Sequence, residues 1–403
     1  MITRRFLLQS AAAAAAYSAQ GFRTARAETA PGVTDTEIKI GQTMPYSGPL
    51  SAYGVIGRTD ASYFRMINDQ GGVNGRKLNL ISVDDGYSPP KTVEQVRRLV
   101  EQERVAFLFH TLGTSCNLAV RQYLNDNKIP QLFVSTGAAM LADPEHFPWT
   151  MGYNPNYQTE ARIWAKHLLA TKPDARIGVL YQNDGFGKDY VIGLKDVLGS
   201  DHAGMIVKEA SFEPSEPTVD SQVVTLQGSG ADVFLIAATA KHAAQAIRKS
   251  ADLDWNAARY VSYVSTSIAS VLKPAGTEKS KGLTSTLYNI DVNDPRWKDD
   301  PRVTEWRAFT TKYMSASEYA EPIAAYAFGA AATMVQVLKQ CGNDLSRESI
   351  MKQAASLKDF QAPMLLPGIK INTSPTNYSP IRQLQLAAFN GENWEPVGEV
   401  LSD

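Results

Sequence analysis

The sequence predicts an α/β fold made of two doubly wound parallel-sheet lobes, and three observations support this prediction. Short apolar segments, typical of buried parallel strands, alternate with segments of helical periodicity. The alternation begins near Ile38 and starts again near Ile177. The chain has 403 residues, which is more than one ordinary hydrophobic core organises, so two lobes of similar architecture are expected.

The first lobe is predicted from strands and helices that follow one another without a long linker. Gly71 and Gly72 end its first helix, and Pro89-Pro90 open the second, because proline fits the first turn of a helix. In chain order, the predicted elements are a strand through Ile38, Ile40 and Met44, a helix carrying Tyr63, Met66 and Ile67, a strand from Leu78 to Val83, a helix through Val93, Val96, Leu99 and Val100, a strand from Val105 to Phe109, a helix capped by Ser115, and a strand from Leu132 to Val134.

The second lobe is predicted from a repeat of the same alternation. Its elements are a strand from Ile177 to Tyr181, a helix from Tyr190 to Leu198, a strand from Val233 to Ala237, a helix through Ala243, Ile247 and Ala251, and a strand from Tyr260 to Val264. An alanine-rich helical stretch follows from Ile323 to Lys339. The chain ends in a predicted hairpin, with Leu384 to Asn390 as one strand and Trp394 to Val397 as the other.

Residues 1–27 are interpreted as an export signal and not as part of the fold. Arg4-Arg5 precede an apolar segment with an unbroken alanine run, and Ala25-Arg26-Ala27 is a small-x-small cleavage sequence. The apolar segment is too short for a helix that spans a bilayer. The paired arginines favour the twin-arginine route, with an ordinary Sec signal as the alternative. We expect cleavage after Ala27 and a periplasmic protein.

The charge and the cysteine content of the chain argue against nucleic-acid binding and against a metal site. Without residues 1–27, which contain four arginines and no acid, the chain carries 36 basic and 41 acidic side chains, a net charge of about −5. The sequence shows no basic patch, so nucleic-acid binding is not predicted. Cys116 and Cys341 lack metal-ligand spacing, and we expect two free, buried thiols. An oxidising compartment would permit a disulfide between them. No metal or cofactor is predicted.

One stretch of the first lobe carries a resemblance to a known family. A helix-like segment ends at Ile67-Asn68-Asp69-Gln70-Gly71-Gly72, an Asn74-Gly75 turn follows, and a strand leads to Asp84-Asp85. Upstream lies Ser47-Gly48-Pro49-Leu50-Ser51-Ala52-Tyr53-Gly54. Together these segments resemble the amino-terminal part of the periplasmic binding proteins that serve ABC transporters of the branched-chain amino acid type. The resemblance is strongest over residues 36–137 and covers essentially all of the chain after residue 27.

The resemblance implies a type I periplasmic binding protein, in which a three-strand hinge joins two lobes that close on a ligand. It implies lobe 1 at residues 28–153, lobe 2 at 154–287, a return to lobe 1 at 288–367, and the completion of lobe 2 at 368–403. The crossings are expected near Gly152-Tyr153-Asn154, Leu287-Tyr288-Asn289 and Pro367-Gly368-Ile369. The expected partners are a small-molecule ligand and the membrane permease subunits of an ABC transporter, and the chain is expected to be a monomer.

The same resemblance implies where the ligand binds. The expected contact residues are Tyr53, Thr111, Leu112, Gly113, Thr114, Ser135, Thr136, Gly137, Phe186, Thr239 and Tyr263. In the amino acid-binding members, hydroxyl residues of lobe 1 hold the ligand, but here a gapless match places Gly113 and Gly137 at those positions. A match shifted by one residue would bring Ser135 or Thr136 there instead. The acid that binds the ligand ammonium in lobe 2 is replaced by Val264. Because burying an ammonium without a paired charge is costly, a free amino acid is expected to be a poor ligand.

The remaining residue types favour an aromatic or apolar carboxylate. Backbone N–H groups at Gly113 to Ser115, at a predicted helix start, suit a carboxylate, and glycine there would let a bulky group approach the main chain. Tyr53, Phe186 and Tyr263 would present flat walls to it. Three segments, 109–114, 131–137 and 147–152, are similar to a subgroup that includes binders of plant-derived aromatic acids. The alternative ligands are branched-chain or other amino acids and amides.

Other candidate residues receive structural interpretations. His110, at the end of an apolar strand, is expected to be a satisfied core histidine, and Asp84-Asp85 to order the following loop. Arg382 and Lys241 are expected on the surface. No catalytic motif occurs, and none of the five histidines has a recognisable carboxylate partner in the sequence, so an enzyme is not predicted. A ligand-sensing protein that serves no transporter remains a second class of function with the same fold.

Overall fold

The fold is described from a computed structural model, which covers residues 30–316 and 322–402. The export signal predicted in residues 1–27 lies outside the described residues. The strands are β1 (Glu37–Met44), β2 (Lys77–Asp84), β3 (Phe107–Phe109), β4 (Gln131–Val134), β5 (Thr150–Gly152), β6 (Ile177–Gln182), β7 (Ile206–Phe212), β8 (Val233–Ala237), β9 (Ala258–Val261), β10 (Thr284–Leu287), β11 (Gln383–Phe389) and β12 (Trp394–Ser402). The principal helices are α1 (Val55–Asp69), α2 (Pro89–Arg97), α3 (Thr114–Asp126), α4 (Tyr157–Thr171), α5 (Gly185–Leu198), α6 (Asp220–Gly228), α7 (Ala240–Asp252), α8 (Pro301–Tyr313), α9 (Pro322–Cys341) and α10 (Arg347–Ala354).

Each lobe is built on one sheet. The first sheet has the order β2-β1-β3-β4-β5 and is parallel throughout. The second has the order β7-β6-β8-β9-β10-β11-β12 and is parallel as far as β10, after which β11 and β12 add as antiparallel strands. The central strands β3, β4 and β8 are buried along their whole length, as helices on both faces require. The predicted fold class is confirmed.

The helices that follow β10 return to the first lobe. Tyr63 of α1 packs its ring against Phe309 of α8 and Phe328 of α9, with ring centroids 6.1 and 4.9 Å apart. Alanines and one glycine occupy much of the buried face of α9, and these small side chains let α9 approach α1 closely. Among the described helices, none combines the length and apolarity needed to cross a membrane.

Three segments connect the two lobes. The first lies between Gly152 of β5 and Tyr157 of α4. The second, after β10, pairs with the chain near Leu365: the Ile290 amide donates to the Met364 carbonyl at 2.7 Å, and the Leu366 amide donates to the Tyr288 carbonyl at 2.8 Å. These two antiparallel stretches form part of the hinge.

The third crossing lies later than the sequence predicted. Residues 368–378 still lie on the first lobe, where the Ile371 amide bonds the Phe360 carbonyl at 2.9 Å and the Tyr378 hydroxyl bonds the Pro148 carbonyl at 3.1 Å. The second sheet is entered only at Gln383. Pro367-Gly368 is a turn on the first lobe, with Gly368 at a φ of +88°, and not a passage between lobes.

Two local predictions were also wrong. The strand predicted from Tyr260 to Val264 ends at Val261, and Tyr263–Ser265 form a 3₁₀ turn that begins with a hydrogen bond from the Val264 amide to the Ser262 hydroxyl. Ser115 does not cap α3, because that helix begins at Thr114 after Gly113. The prediction of two free, buried cysteines is confirmed.

Candidate functional site

A cavity with about 1040 Å³ of empty space, part of it open to solvent, lies between the two lobes. Its walls come from both lobes and from the crossing segments. Nine of the predicted contact residues line it: Tyr53, Leu112, Gly113, Thr114, Ser135, Thr136, Phe186, Thr239 and Tyr263. The fold therefore brings these loops to one place, as expected for the carboxyl ends of parallel strands.

Thr111 and Gly137 do not line the cavity, contrary to the prediction. The Thr111 hydroxyl donates to the Asn117 side-chain oxygen at 2.5 Å and is buried beneath α3. Gly137 is covered, since a Cβ atom built on it would overlap the Pro155 carbonyl and the Tyr263 hydroxyl. Gly137 thus allows the close approach of Tyr263 to the first crossing, and its lack of a side chain does not open space for a ligand.

The amino-terminal end of α3 forms the polar part of the cavity wall. Gly113 precedes the helix at a φ of +99°, a conformation that favours glycine, and no described side chain caps the helix. The Thr114 and Thr136 hydroxyls lie 2.7 Å apart beside it. Uncapped backbone N–H groups with adjacent hydroxyls can bind a carboxylate without a cationic side chain. None of the described residues that line the cavity is Lys, Arg or His.

Tyr87 is a cavity residue that the sequence analysis missed. Its ring lies against Gly113, where a Cβ atom would overlap it, so the space beside that glycine belongs to Tyr87 and not to a ligand. Tyr87 has a φ of +58°, and the Asp85 carboxylate holds it there by accepting from its amide at 2.9 Å. This confirms that Asp84-Asp85 order the loop. No pattern in the sequence links a loop tyrosine to Gly113, because only the fold brings them together.

Aromatic rings form the apolar part of the wall. Tyr157 makes an edge-on contact with Phe186, with centroids 4.8 Å apart, and stacks on Tyr263 at 5.6 Å. Tyr263 in turn meets Tyr288 of the second crossing at 5.3 Å. The Tyr263 hydroxyl donates to the Pro155 carbonyl at 2.7 Å, which fixes its ring. A set of fixed rings suits a flat or apolar ligand.

A buried carboxyl group supports this wall from behind. Glu160 of α4 accepts hydrogen bonds from the Thr286 hydroxyl at 2.7 Å, the Tyr263 amide at 3.1 Å and the Tyr190 hydroxyl. Its burial raises its pKa to about 7, against a usual 4.5, because the charged form is desolvated. Glu160 therefore positions both Thr286 and Tyr263, which line the cavity.

His110 has a carboxylate partner, which the sequence analysis did not find. Its Nδ1 lies 2.9 Å from an oxygen of the buried Asp60, and its Nε2 lies 2.8 Å from the Tyr326 hydroxyl. Tyr326 lines the cavity and also bonds Ser135 and Asn154 at 3.0 and 2.6 Å. The prediction of a satisfied core histidine is confirmed. The missed partner lies 50 residues away in sequence, at a helix position with no distinguishing pattern.

Hydrogen bonds join the lobes across the cleft. The Tyr53 hydroxyl, from lobe 1, donates to the Val264 carbonyl and accepts from the Ala240 amide of lobe 2, both at 3.0 Å. The Asp189 carboxylate of α5 accepts from the Ala139 amide of lobe 1 at 2.8 Å. The structure therefore shows the lobes closed over the cavity.

Two lobes of the same architecture, joined by a hinge and closed over an aromatic-walled cavity, define a ligand-trapping protein. The sequence profile of the family described as periplasmic binding protein matches residues 37–393, and this chain belongs to that family. Members of the family bind small molecules and are not enzymes.

Known proteins share the sequence and the fold. The chain is 25% identical to the Leu/Ile/Val-binding protein homolog 1 of Brucella suis over 335 residues, which cover 80% of this chain and 84% of that protein. Its fold matches a branched-chain amino acid ABC transporter protein of Thermus thermophilus with bound valine (TM-score 0.83, 15% identity, 92% and 98% of the two chains). It also matches the fatty acid ABC transporter substrate-binding protein of Thermomonospora curvata (TM-score 0.75, 20% identity, 94% and 95%).

Proposed function

We propose that this chain is the extracytoplasmic solute-binding subunit of an ABC importer. Its lobes close on a small aromatic or apolar carboxylate, and the closed monomer delivers that ligand to a membrane permease. The coupling to a transporter is supported by the relatives, among which the Thermus thermophilus and Thermomonospora curvata proteins are named for ABC transporters.

The ligand class rests on one observation: the uncapped start of α3 and a wall of tyrosine and phenylalanine rings line the same cavity. The backbone N–H groups and the paired hydroxyls of Thr114 and Thr136 would hold the carboxylate. The rings of Tyr157, Phe186 and Tyr263 would enclose the apolar body of the ligand. The side chain of Val264, at the position that the resemblance assigns to the ammonium-binding acid, is apolar and carries no charge.

The alternative ligand is a branched-chain amino acid, which the names of the Brucella suis and Thermus thermophilus proteins favour. Titration calorimetry separates the two, with benzoate, phenylacetate and octanoate compared with leucine and valine. We expect at least one of the three carboxylates to bind about tenfold or more tightly than either amino acid, a difference of about 1.4 kcal/mol. Submicromolar binding of leucine, with no binding of the carboxylates, would contradict the proposal.

Export through the twin-arginine route is part of the proposal and has its own test. Replacing both Arg4 and Arg5 by lysine should leave the uncleaved protein in the cytoplasm, whereas the wild-type protein should reach the periplasm and begin at Glu28. Cell fractionation followed by amino-terminal sequencing measures both. Normal export of the double variant would instead indicate the Sec route.

A ligand-sensing role without transport is the remaining alternative. Deleting the permease genes and measuring uptake of the labelled ligand distinguishes the roles. Loss of uptake both in that strain and in one lacking this chain supports transport. Unchanged uptake without this chain refutes it.

A further inference from the structure

Asp291 contributes a carboxylate to the cavity wall, at a position that the sequence analysis did not single out. It follows β10 in the second crossing, where each residue from Leu287 to Asp291 lines the cavity. It is the only Asp or Glu among the described residues that do so. Its neighbours Ile290 and Val292 are buried, which anchors the backbone on both sides of the carboxylate.

Few groups of the protein stabilise the negative charge of the Asp291 carboxylate. One oxygen accepts a hydrogen bond from the backbone amide of Asn293 at 2.9 Å. Among the described residues, no other group donates a hydrogen bond to this carboxylate. Burial raises the pKa of Asp291, and the Asp294 charge raises it further. The charge of Arg296 lowers the pKa of Asp291, but the Arg296 guanidinium already binds the Asp294 carboxylate at 2.9 Å and the Trp394 carbonyl at 2.5 Å.

When the lobes close on a ligand, the Asp291 carboxylate needs a hydrogen-bond donor in place of water. In an open cleft, water satisfies the free oxygen of Asp291. A ligand that fills the closed cavity displaces that water, so an apolar surface against the carboxylate leaves it desolvated without compensation. A ligand that brings an O–H or N–H group to the same place replaces the water.

We propose that Asp291 accepts a hydrogen bond from a hydroxyl or ammonium group of the ligand, so that the ligand is an aromatic carboxylate with a donor substituent. This inference rests on the function proposed above, and it narrows the ligand class. The helix α3 start holds the carboxylate, and Asp291 selects the substituent. A binding site built around an acceptor discriminates strongly against an analogue that lacks the donor.

Calorimetry with matched ligands tests this. The probes are benzoate, 3- and 4-hydroxybenzoate and 4-(aminomethyl)benzoate, and the variants are Asp291→Asn and the control Asp299→Asn. Asp299 carries the same charge eight residues along the chain, but its side chain is 87% exposed and does not line the cavity. For the wild type and the control, we expect at least one donor-bearing probe to bind about tenfold or more tightly than benzoate.

In Asp291→Asn that advantage should fall to about threefold or less, while benzoate should bind as well as to the wild type or better, because a repelling charge is gone. The identity of the favoured probe separates a hydroxyl from an ammonium. If benzoate binds as tightly as every substituted probe, and Asp291→Asn changes nothing, the role of Asp291 is refuted while the carboxylate function stands. If none of the four binds at millimolar concentration, the aromatic carboxylate function fails, and this inference fails with it.

Discussion

Removing the Tyr53 hydroxyl should weaken lobe closure without unfolding either lobe. In Tyr53→Phe, the Val264 carbonyl and the Ala240 amide of lobe 2 both lose their partner. Both bonds form across the cleft, so the open form does not need them, and water satisfies the two groups there. The substitution therefore acts on the equilibrium between the open and closed forms.

The size of the effect follows from the two lost bonds. Leaving one buried donor or acceptor without a partner costs about 1–3 kcal/mol, so with two such groups closure should lose about 2–6 kcal/mol. Because ligand binding includes closure, the affinity should fall about thirtyfold or more, at 1.4 kcal/mol for each factor of ten. The midpoint of thermal unfolding without ligand should change little.

Calorimetry with the tightest-binding carboxylate, together with small-angle X-ray scattering, measures affinity and closure separately. Tyr46→Phe is the matched control, because the Tyr46 hydroxyl bonds the Ser82 hydroxyl at 2.6 Å within lobe 1. The control should bind normally and close normally. Binding of Tyr53→Phe within threefold of the wild type, with full compaction, would refute the role of this hydroxyl in closure.

Three further changes test the walls of the cavity and the support behind them. Gly113→Val places a β-branched residue at a positive φ and against the Tyr87 ring, so calorimetry should show an affinity loss of about tenfold or more, and normal binding would exclude this end of α3 as the carboxylate site. Phe186→Ala removes a ring that closes over the ligand, so the binding free energy should weaken by about 2–4 kcal/mol, a loss of affinity of about thirtyfold or more. An unchanged dissociation constant would place the ligand elsewhere. The pKa of Glu160 is raised to about 7 in the folded state, so below pH 4.5 the group is neutral in both states, and between pH 4.5 and 7 the unfolded state loses its proton first. The free energy of unfolding should therefore fall by about 3 kcal/mol across this window because of Glu160, and urea titrations should show that Glu160→Gln removes this part of the pH dependence. Identical pH profiles for the wild type and Glu160→Gln would contradict the assignment.

The fold was predictable because its signals are local. Apolar strands such as Val233 to Ala237 show their burial directly, and the glycines after α1 mark where that helix ends. The loops that end in Thr114 and Thr136 were also placed correctly in the cavity wall, because the carboxyl ends of neighbouring parallel strands meet at one edge of the sheet.

The rest of the cavity depends on contacts between distant parts of the chain. Tyr87 comes from a loop, Tyr288 and Asp291 from the second crossing, and Tyr326 from a helix that returns to lobe 1. Each is an ordinary residue in its local sequence, and only the tertiary fold brings it to the cavity. The wrong position of the third crossing has a related cause, since Pro367-Gly368 gives the same turn signal within a lobe as between lobes.

The identity of the natural ligand tests the central claim most directly. Native mass spectrometry of the protein isolated from its own periplasm, followed by release and fragmentation of whatever it carries, measures that identity. An aromatic or apolar carboxylic acid bound at one copy per chain is the predicted result. Release of leucine, isoleucine or valine at one copy per chain would contradict the account.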